Sequence, residues 1–218
     1  MDNPPDAELS GALETLDEVV RSVLAGAKPV EFRLASTDAE RKMVYRLRYD
    51  TIVERGWLSP GDFADQQEID EFDADAEQVL GYDGSQLAAS ARLVFPRPGR
   101  LLPTEAAFDV RAEPQGVFAD MGRIIVLPAY TSMQHRIMAG LLAYAWGVVR
   151  EHGFMRVLGT GTPGMIRLYQ RLGFTITPLG PPRTFWGEER TPLHFDVLAS
   201  APVLLARWAA RPNASPDS

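Results

Sequence analysis

The chain has 218 residues, of which 45% are hydrophobic, and it carries a net charge of −7 and no cysteine. One domain is the default for this length. The lack of cysteine excludes disulfides, thiolate metal sites and a thiol nucleophile, and the acidic balance argues against nonspecific binding to nucleic acid. Residues 1–10 lack the basic start and apolar run of a secretory signal, and no segment approaches the ~20 apolar residues of a membrane span. We therefore expect a cytoplasmic protein with no nucleic-acid partner and no membrane span.

The chain predicts helices alternating with strands. In chain order the predicted elements are a helix over 8–25, a strand over 30–35, a helix from the Ser36-Thr37-Asp38 cap to about Arg55, strands over 78–82 and 87–96, a strand over 118–126, a helix over 133–152, a strand over 155–160, a helix over 164–171, and strands over 174–179 and 193–199. The Asp83-Gly84 pair between two of these strands is a hairpin signal.

This order predicts an α/β fold with a layered sheet of about six or seven strands and mixed strand pairing. An acidic loop over 59–75 and a proline-rich loop over 96–114 interrupt the regular elements. We expect an N-terminal helical extension over 1–29, a single domain over 30–200, and a partly disordered tail over 201–218 whose last residues are polar.

Charged residues stand in half-apolar stretches, where a charge is costly unless it is paired or used. The acidic members are Glu68, Asp70 and Asp73, and the basic members are Arg48, Arg92 and Arg123. The two sets would solve the problem by facing each other, which would also form a polar pocket of the kind where chemistry takes place. The other acidic residues of this run are expected to be solvated; they are Glu71, Asp75 and Glu77. Gly122 indicates a β-bulge or a close approach of a ligand to the backbone.

Two other patterns have simpler explanations. The GTGTPG segment at 159–164 fits the dinucleotide pattern G-x-G-x-x-G, but Pro163 interrupts the loop and the following helix is short. We expect a tight turn that lets a helix pack close to the sheet. The three histidines share no metal-ligand spacing, so no metal site is predicted.

Several segments together resemble the GNAT N-acyltransferase fold, which has a mixed, mostly antiparallel sheet flanked by helices. They are LYQRLGF at 168–174, RIIVLP at 123–128 followed by a long helix, and the order of the elements. Within that fold the chain resembles the acyl-homoserine-lactone synthases, the autoinducer synthases, over roughly residues 30–198. Their pattern has Arg, Phe and Trp near the first helix, then D-x-x-D, then an Arg in one strand and E-x-x-R in the next. The matching positions here are Arg48, Ile52, Trp57, Asp70, Asp73, Arg92, Asp120 and Arg123.

The chain also resembles the N-acyl amino acid synthases, which share RLRY, the D-x-x-D region, the arginine strands and the RLGF ending. The two resemblances imply different acceptors. An autoinducer synthase acylates S-adenosylmethionine to give an acyl-homoserine lactone for quorum sensing, and an N-acyl amino acid synthase acylates a free amino acid. Ile52 and Asp120 depart from the autoinducer-synthase pattern at positions that touch the acceptor pocket.

The acyl donor is also open to a physical argument. Most GNAT enzymes hold the coenzyme A pyrophosphate on a glycine-rich turn at a helix N-terminus. The corresponding turn here has no such glycines, and its side chains would crowd the approach; they belong to Thr131, Ser132, Met133 and Gln134. An acyl carrier protein, whose phosphopantetheine carries one phosphate, is therefore favoured over coenzyme A as the co-substrate and partner. No permanently bound cofactor is expected.

These resemblances imply direct acyl transfer from a thioester to a small-molecule amine. We predict catalytic roles for Asp120, Arg123 and Arg92, with Asp120 as the base, and an oxyanion site of backbone N–H groups near Met121 and Gly122. Asp70 and Asp73 would attract the amine, Arg48 or Arg123 a carboxylate, and Trp57 a sulfonium through cation–π attraction. The residues predicted to line an acyl tunnel are Met121, Leu141, Thr160, Thr162 and Met165. A non-catalytic acyl-thioester sensor with the same fold is the alternative of another class.

Overall fold

A computed structural model describes residues 4–63 and 65–210. The helices are α1 (Pro4–Gly26), α2 (Asp38–Glu54), α3 (Pro103–Phe108), α4 (Gln134–Glu151), α5 (Pro163–Leu172) and α6 (Val197–Ala209). The strands are β1 (Glu31–Leu34), β2 (Glu77–Asp83), β3 (Gln86–Val94), β4 (Phe118–Val126), β5 (Arg156–Gly161), β6 (Thr175–Pro178), β7 (Arg183–Phe185) and β8 (Glu188–Asp196). Short 3-10 helices cover Pro60–Asp62, Asp73–Asp75 and Pro128–Met133.

The strands form an eight-stranded sheet in the order β1-β2-β3-β4-β5-β8-β6, with the short β7 paired to β8. Every pairing is antiparallel except that of β4 with β5. The predicted mixed, mostly antiparallel sheet flanked by helices is confirmed. The sheet exceeds the expected six or seven strands because β7 has only three residues, too few to give a periodic signal.

Two elements differ from the sequence prediction. The proline-rich loop contains α3, which begins with Pro103 at its first position, where a missing N–H costs nothing. The strand predicted over 193–199 ends at Asp196, because the Asp196 side chain accepts a hydrogen bond from the Ala199 N–H at 2.9 Å and so begins α6. Residues 201–209 of the expected tail therefore belong to a helix, and residues 211–218 lie outside the described part of the chain.

The sheet separates a large core from a small one. The large core packs α1, α4 and α6 against one face, with residues such as Leu16, Ile137 and Ala201 fully or almost fully buried. The small core lies on the opposite face and is formed by Phe72, Leu102 and Ala112 from the loops, and by Val94, Phe118 and Leu158 from the strands. Within the described residues, no helix is both long and apolar enough to cross a membrane.

β4 stays paired with β3 to its end but loses its pairing with β5 partway along its length. Its parallel register with β5 covers Phe118, Ala119 and Asp120 and then stops, so the two strands part after Asp120. On its other side, β4 contains an extra residue opposite Ala91 of β3, where the register shifts between Ser90 and Arg92. Such a bulge bends a strand and re-aims a side chain. It supports the bulge predicted at Gly122 and places an irregular backbone where β4 and β5 separate.

Candidate functional site

The candidate site lies on the face of the sheet that carries the small core, where β2, β3 and β4 run side by side. Partners in adjacent strands point to the same face of a sheet. Gln78, Arg92 and Gly122 therefore share one row, and Val94 and Asp120 share the next. This arrangement brings the charges of β3 and β4 together beneath the acidic loop.

Arg48 is the buried centre of a charge network. α2 places it facing the sheet, where its side chain is 0% exposed. Its Nη1 and Nη2 atoms donate to the two carboxylate oxygens of Asp73 at 2.7 and 2.8 Å, and its Nε donates to Glu68. Burial disfavours the charged guanidinium, but the hydrogen bonds to Asp73 and the charge of Glu68 raise the pKa of Arg48 above its usual value.

Asp73 is held on every side by donors. Besides Arg48, it accepts hydrogen bonds from Gln78 Nε2 at 3.0 Å and from the Asp70 N–H at 2.9 Å, and Arg92 Nη1 lies 3.1 Å from its Oδ2 atom. Burial favours the neutral acid, but the guanidinium groups of Arg48 and Arg92 outweigh it and lower the pKa of Asp73. Asp73 is therefore an ionised and buried part of the site.

Arg123 joins the network from β4. It occupies the bulge with φ of +51°, and its side chain reaches the same face as Arg92. Its Nη2 atom donates to Glu68 at 2.9 Å and to Asp70 at 3.0 Å, and Arg92 donates to the other oxygen of Asp70 at 2.6 Å. Regular alternation along the strand would have sent adjacent side chains to opposite faces, so the bulge is what brings Arg123 into the site.

Exposure divides the network into a buried and an accessible part. The side chains of Asp70 and Arg123 are 21% and 17% exposed, whereas those of Arg48, Asp73 and Arg92 are almost fully buried. The predicted residues thus lie together, but only Asp70 and Arg123 are open enough to touch a small molecule directly.

Asp120 lies beside this network in a less polar setting. It is 3% exposed, and its Oδ2 atom accepts a hydrogen bond from the Thr104 N–H of α3 at 2.7 Å. Burial raises the pKa of Asp120 to about 6, although the hydrogen bonds from Thr104 and the charges of Arg92 and Arg123 act in the opposite direction. A carboxylate with this pKa can exchange a proton near neutral pH.

The residues predicted to line an acyl tunnel do not share one surface. Met121 packs against the large core that contains Leu141, on the α4 side of the sheet. Thr160 lies two residues after Leu158, which belongs to the small core on the other side, so alternation places Thr160 there. Thr162 caps α5, where its hydroxyl accepts from the Met165 N–H at 3.4 Å. Strand geometry decides this division, which spacing along the chain did not show.

The glycines of the GTGTPG segment allow close packing, as predicted. A Cβ atom on Gly161 would lie 2.8 Å from Leu193 and 3.1 Å from Ile166 of α5, and one on Gly159 would lie 3.0 Å from the Met121 carbonyl oxygen. The segment ends β5 and begins α5. Gly159 and Gly161 thus allow close packing, but they lie within β5 rather than in the predicted tight turn.

Trp57 and Ile52 occupy surroundings that their spacing did not suggest. The Trp57 ring has the guanidinium carbon of Arg55 at 4.8 Å from its centroid and that of Arg190 at 5.6 Å. Ile52, which stands where the family pattern has an aromatic residue, is buried in α2. Trp57 therefore packs chiefly against the protein's own cations.

Two participants were given no role from the sequence. Glu68 was placed in the acidic set without a role, yet it bridges Arg48 and Arg123. Trp186 was not considered, yet the guanidinium carbon of Arg123 lies 4.4 Å from its ring centroid. The half-apolar sequence around Glu68 could have indicated its role. No local pattern indicates the role of Trp186, because it lies 63 residues after Arg123 in the chain.

The part of the chain that the structure describes contains no group of three His, Cys, Asp or Glu side chains arranged to hold a metal ion. The acidic members of the site each have arginine partners. The arrangement is a network of paired charges with an accessible edge at Asp70 and Arg123.

Residues 43–191 match the family model described as N-acyl amino acid synthase FeeM. Comparison with curated proteins gave no match. Among solved structures, a CoA-dependent acyl-homoserine lactone synthase, BjaI, bound to SAM and isopentyl-CoA, is similar with 21% identity over 83% of this chain and 90% of that chain, at a TM-score of 0.64.

Two further structures show the same likeness. The acyl-homoserine lactone synthase LasI has 17% identity over 81% of this chain and 94% of that chain, at a TM-score of 0.61. FeeM, an N-acyl amino acid synthase from uncultured soil microbes, has 16% identity over 82% of this chain and 97% of that chain, at a TM-score of 0.60. At these identities the structures establish a shared fold, and the family match adds a shared sequence pattern across the site.

Proposed function

Because this chain belongs to the N-acyl amino acid synthase FeeM family and is an acyltransferase, we propose that it transfers an acyl chain from a thioester to the amine of a free amino acid. The observation that carries the proposal is the buried Asp120 beside the charge network, at the point where β4 and β5 part. Asp120, whose pKa is about 6, and Asp70, whose carboxylate can bind an ammonium, lie on the same face of the sheet.

The division of the network by exposure supports distinct roles for its members. Asp70 and Arg123 are the accessible pair, so Asp70 receives the acceptor ammonium and Arg123 its carboxylate. Arg48, Arg92 and Asp73 are buried and engaged with one another. They hold the accessible pair in place rather than touch the acceptor. The sequence had predicted direct contacts of Arg48 and Asp73 with the acceptor, and this proposal replaces them with a supporting role.

The chemistry needs a neutral amine, an oxyanion site and a path for the two protons that the acceptor ammonium loses. Because Asp120 is buried, it accepts one proton of the acceptor ammonium through a water molecule. The neutral nitrogen then attacks the thioester carbonyl carbon and forms the C–N bond. Backbone N–H groups near Met121 and Gly122, where β4 leaves β5, stabilise the tetrahedral oxyanion. The C–S bond breaks, the departing thiolate takes up the second proton of the nitrogen, and Asp120 returns the first proton to solvent. Gly122 leaves room here, since a Cβ atom there would lie 3.9 Å from Asp120 Oδ1.

An acyl carrier protein is the donor that the α4 region favours. The residues before α4 form a 3-10 helix over Pro128–Met133 instead of a glycine-rich turn, and Thr131 and Ser132 are exposed on it. Their side chains crowd the backbone that would hold a pyrophosphate, while a single phosphate needs less room.

S-adenosylmethionine is the second candidate acceptor. The D-x-x-D segment and the arginines of β3 and β4 fit the autoinducer-synthase pattern, and Asp70 suits an acceptor with additional positive charge. Trp57 weakens this candidate, since the cations of Arg55 and Arg190 already lie by its ring and would compete with a sulfonium. A free amino acid has no sulfonium and therefore needs no cation–π contact with Trp57.

Thiol release from acyl carrier protein thioesters and from coenzyme A thioesters tests the proposed donor and the proposed acceptor. Each donor is incubated with the protein and with amino acids, simple amines or S-adenosylmethionine, and products are identified by mass spectrometry. Release that depends on an amino acid supports the proposal, and release only with S-adenosylmethionine supports the second candidate. If no acceptor in the panel causes thiol release, the non-catalytic sensor is left, and a preference for coenzyme A thioesters would reject the carrier protein.

Asp70→Asn tests the site itself. It removes the charge for the ammonium, so we expect the acceptor KM to rise about 10-fold or more, from the worth of a charge-assisted hydrogen bond. Asp62→Asn is the matched control, because Asp62 is exposed and bonds only the nearby Ser59 N–H among the described contacts. Full activity of Asp70→Asn at low acceptor concentration would refute the assignment.

A further inference from the structure

We propose that Trp186, at the tip of the β7–β8 hairpin, forms the acceptor-side wall of the site and determines which acceptor side chains are admitted. This inference rests on the proposed acylation of amino acids. It gives Trp186 the position beside the acceptor that the family resemblance had implied for Trp57.

The contact between Trp186 and Arg123 locates the wall. The guanidinium carbon of Arg123 lies 4.4 Å from the Trp186 ring centroid, and Arg123 Nη2 lies 3.0 Å from Asp70 Oδ2. The ring is therefore within about one side-chain length of the carboxylate that receives the ammonium. An amino acid bound by Asp70 and Arg123 must project its side chain past this half-buried ring.

The hairpin turn presents Trp186 in a fixed direction. β7 and β8 are joined through Trp186 and Gly187, with φ of +54° and +66°. Two consecutive positive φ values are typical of the tight turns that fit the twist of a hairpin. Non-glycine residues rarely adopt this conformation because it strains the backbone. Trp186 adopts it, and its side chain faces the site.

Trp57 anchors the hairpin rather than lining the pocket. A Cβ atom on Gly187 would lie 2.3 Å from Trp57 Cδ1, so the turn packs directly on the indole ring. The Trp57 and Trp186 rings meet edge to face with centroids 6.5 Å apart, and Arg190 of β8 lies over Trp57. The turn that carries Trp186 is thus fixed to the segment that follows α2.

Acceptor specificity distinguishes a wall from a residue that only supports Arg123. The test compares wild type with Trp186→Leu and Trp186→Phe, using an aromatic and a small amino acid as competing acceptors with one donor. A smaller wall admits the larger side chain, so the ratio of kcat/KM for the large over the small acceptor rises about tenfold in Trp186→Leu. The rise is smaller in Trp186→Phe, and the donor KM stays within about twofold.

Thr184→Ala is the control in the same hairpin, since Thr184 is an exposed residue of β7 that pairs with Glu189 of β8. It changes the hairpin but keeps the Trp186 ring, so the acceptor ratio stays at the wild-type value. A uniform loss of activity in Trp186→Leu, with the ratio unchanged or lowered, overturns the wall and indicates support of Arg123 alone.

Failure of the proposed function can be distinguished from failure of the proposed wall at Trp186. If wild type releases no thiol with any amino acid, the function is wrong, and the wall is judged from binding of the same two amino acids by titration calorimetry. A ratio of dissociation constants that shifts in Trp186→Leu toward the larger acceptor supports the wall. Equal ratios in the two proteins, or no binding to wild type, overturn it.

Discussion

At Asp120, burial and hydrogen bonding act on the same carboxyl in opposite directions. Loss of water raises its pKa, while the Thr104 N–H and the charges of Arg92 and Arg123 lower it, and the balance is a pKa of about 6. Asp73, in the acidic loop, is similarly buried but is paired directly with the guanidinium groups of Arg48 and Arg92, and its pKa is lowered. Two aspartates of one site thus differ in role because their neighbours differ.

We expect Asp120→Asn to lower kcat by about 100-fold or more, the usual loss when a general base is removed. In wild type, kcat/KM falls as the pH drops through about 6, because Asp120 becomes protonated. This acidic limb disappears from the residual activity of the variant. Rates of thiol release between pH 5 and pH 8 measure both effects.

Stability provides an independent check on the same residue. A carboxyl whose pKa is raised by folding lowers stability progressively as the pH rises from its unfolded pKa to its folded pKa. The full cost remains at higher pH, and there is none below the unfolded pKa. Asp120→Asn should therefore unfold at a higher temperature than wild type at pH 8 and lose that advantage by about pH 4. Asp50→Asn, an exposed change in α2, should show neither effect; an equal advantage at both pH values would contradict the assignment.

At the scale of elements, close approach decides where glycine is required. α4 contains Gly140 and Gly147 at equivalent helical positions, seven residues apart. A Cβ atom on Gly140 would lie 2.6 Å from the Phe32 ring and 2.7 Å from the Ala27 Cβ atom, whereas one on Gly147 would meet nothing within 4 Å. The glycine at 140 lets α4 lie directly on β1 and the end of α1.

Replacing each glycine by alanine should therefore change stability in opposite directions. Gly147→Ala should stabilise by about 0.5–1 kcal/mol through helix propensity, and Gly140→Ala should destabilise by about 1–3 kcal/mol through overpacking. Urea unfolding of the two variants and wild type measures the difference. A stabilising Gly140→Ala would mean that α4 packs less closely than described.

At the scale of the whole molecule, the charge network ties separate parts of the chain together. Arg48 comes from α2, Glu68 and Asp73 from the acidic loop, and Arg92 and Arg123 from adjacent strands. The loop between residues 59 and 75 has little regular structure of its own. Its fixed position over the sheet therefore depends on these ion pairs.

Arg48→Met should accordingly lower the free energy of unfolding by about 3 kcal/mol or more, because it leaves buried carboxylates with fewer partners. Arg46→Met is the control in the same helix. Arg46 is exposed and its pair with Asp50 is worth less than about 1 kcal/mol. Denaturant unfolding monitored by fluorescence measures both, and similar small losses would show that the network contributes little.

Much of the site was accessible from the sequence because charges in half-apolar stretches need partners. Asp70, Asp73, Arg92 and Arg123 were recognised on that basis, and the sheet class followed from the order of strands and helices. The tunnel residues and the role of Trp57 were harder to infer, since they depend on which face of the sheet a residue occupies. A bulge in β4 changes that face without changing the spacing.

The sequence by itself determined the mixed sheet, the acidic and basic sets and the close packing of α5 at Gly161, since periodicity, charge and glycine act locally. Only the tertiary structure decided that Glu68 bridges Arg48 and Arg123 and that Trp186 covers Arg123. It also decided which charges are accessible. These properties arise from residues far apart in the chain, and their distances depend on how the bulge, the loop and the hairpin pack together.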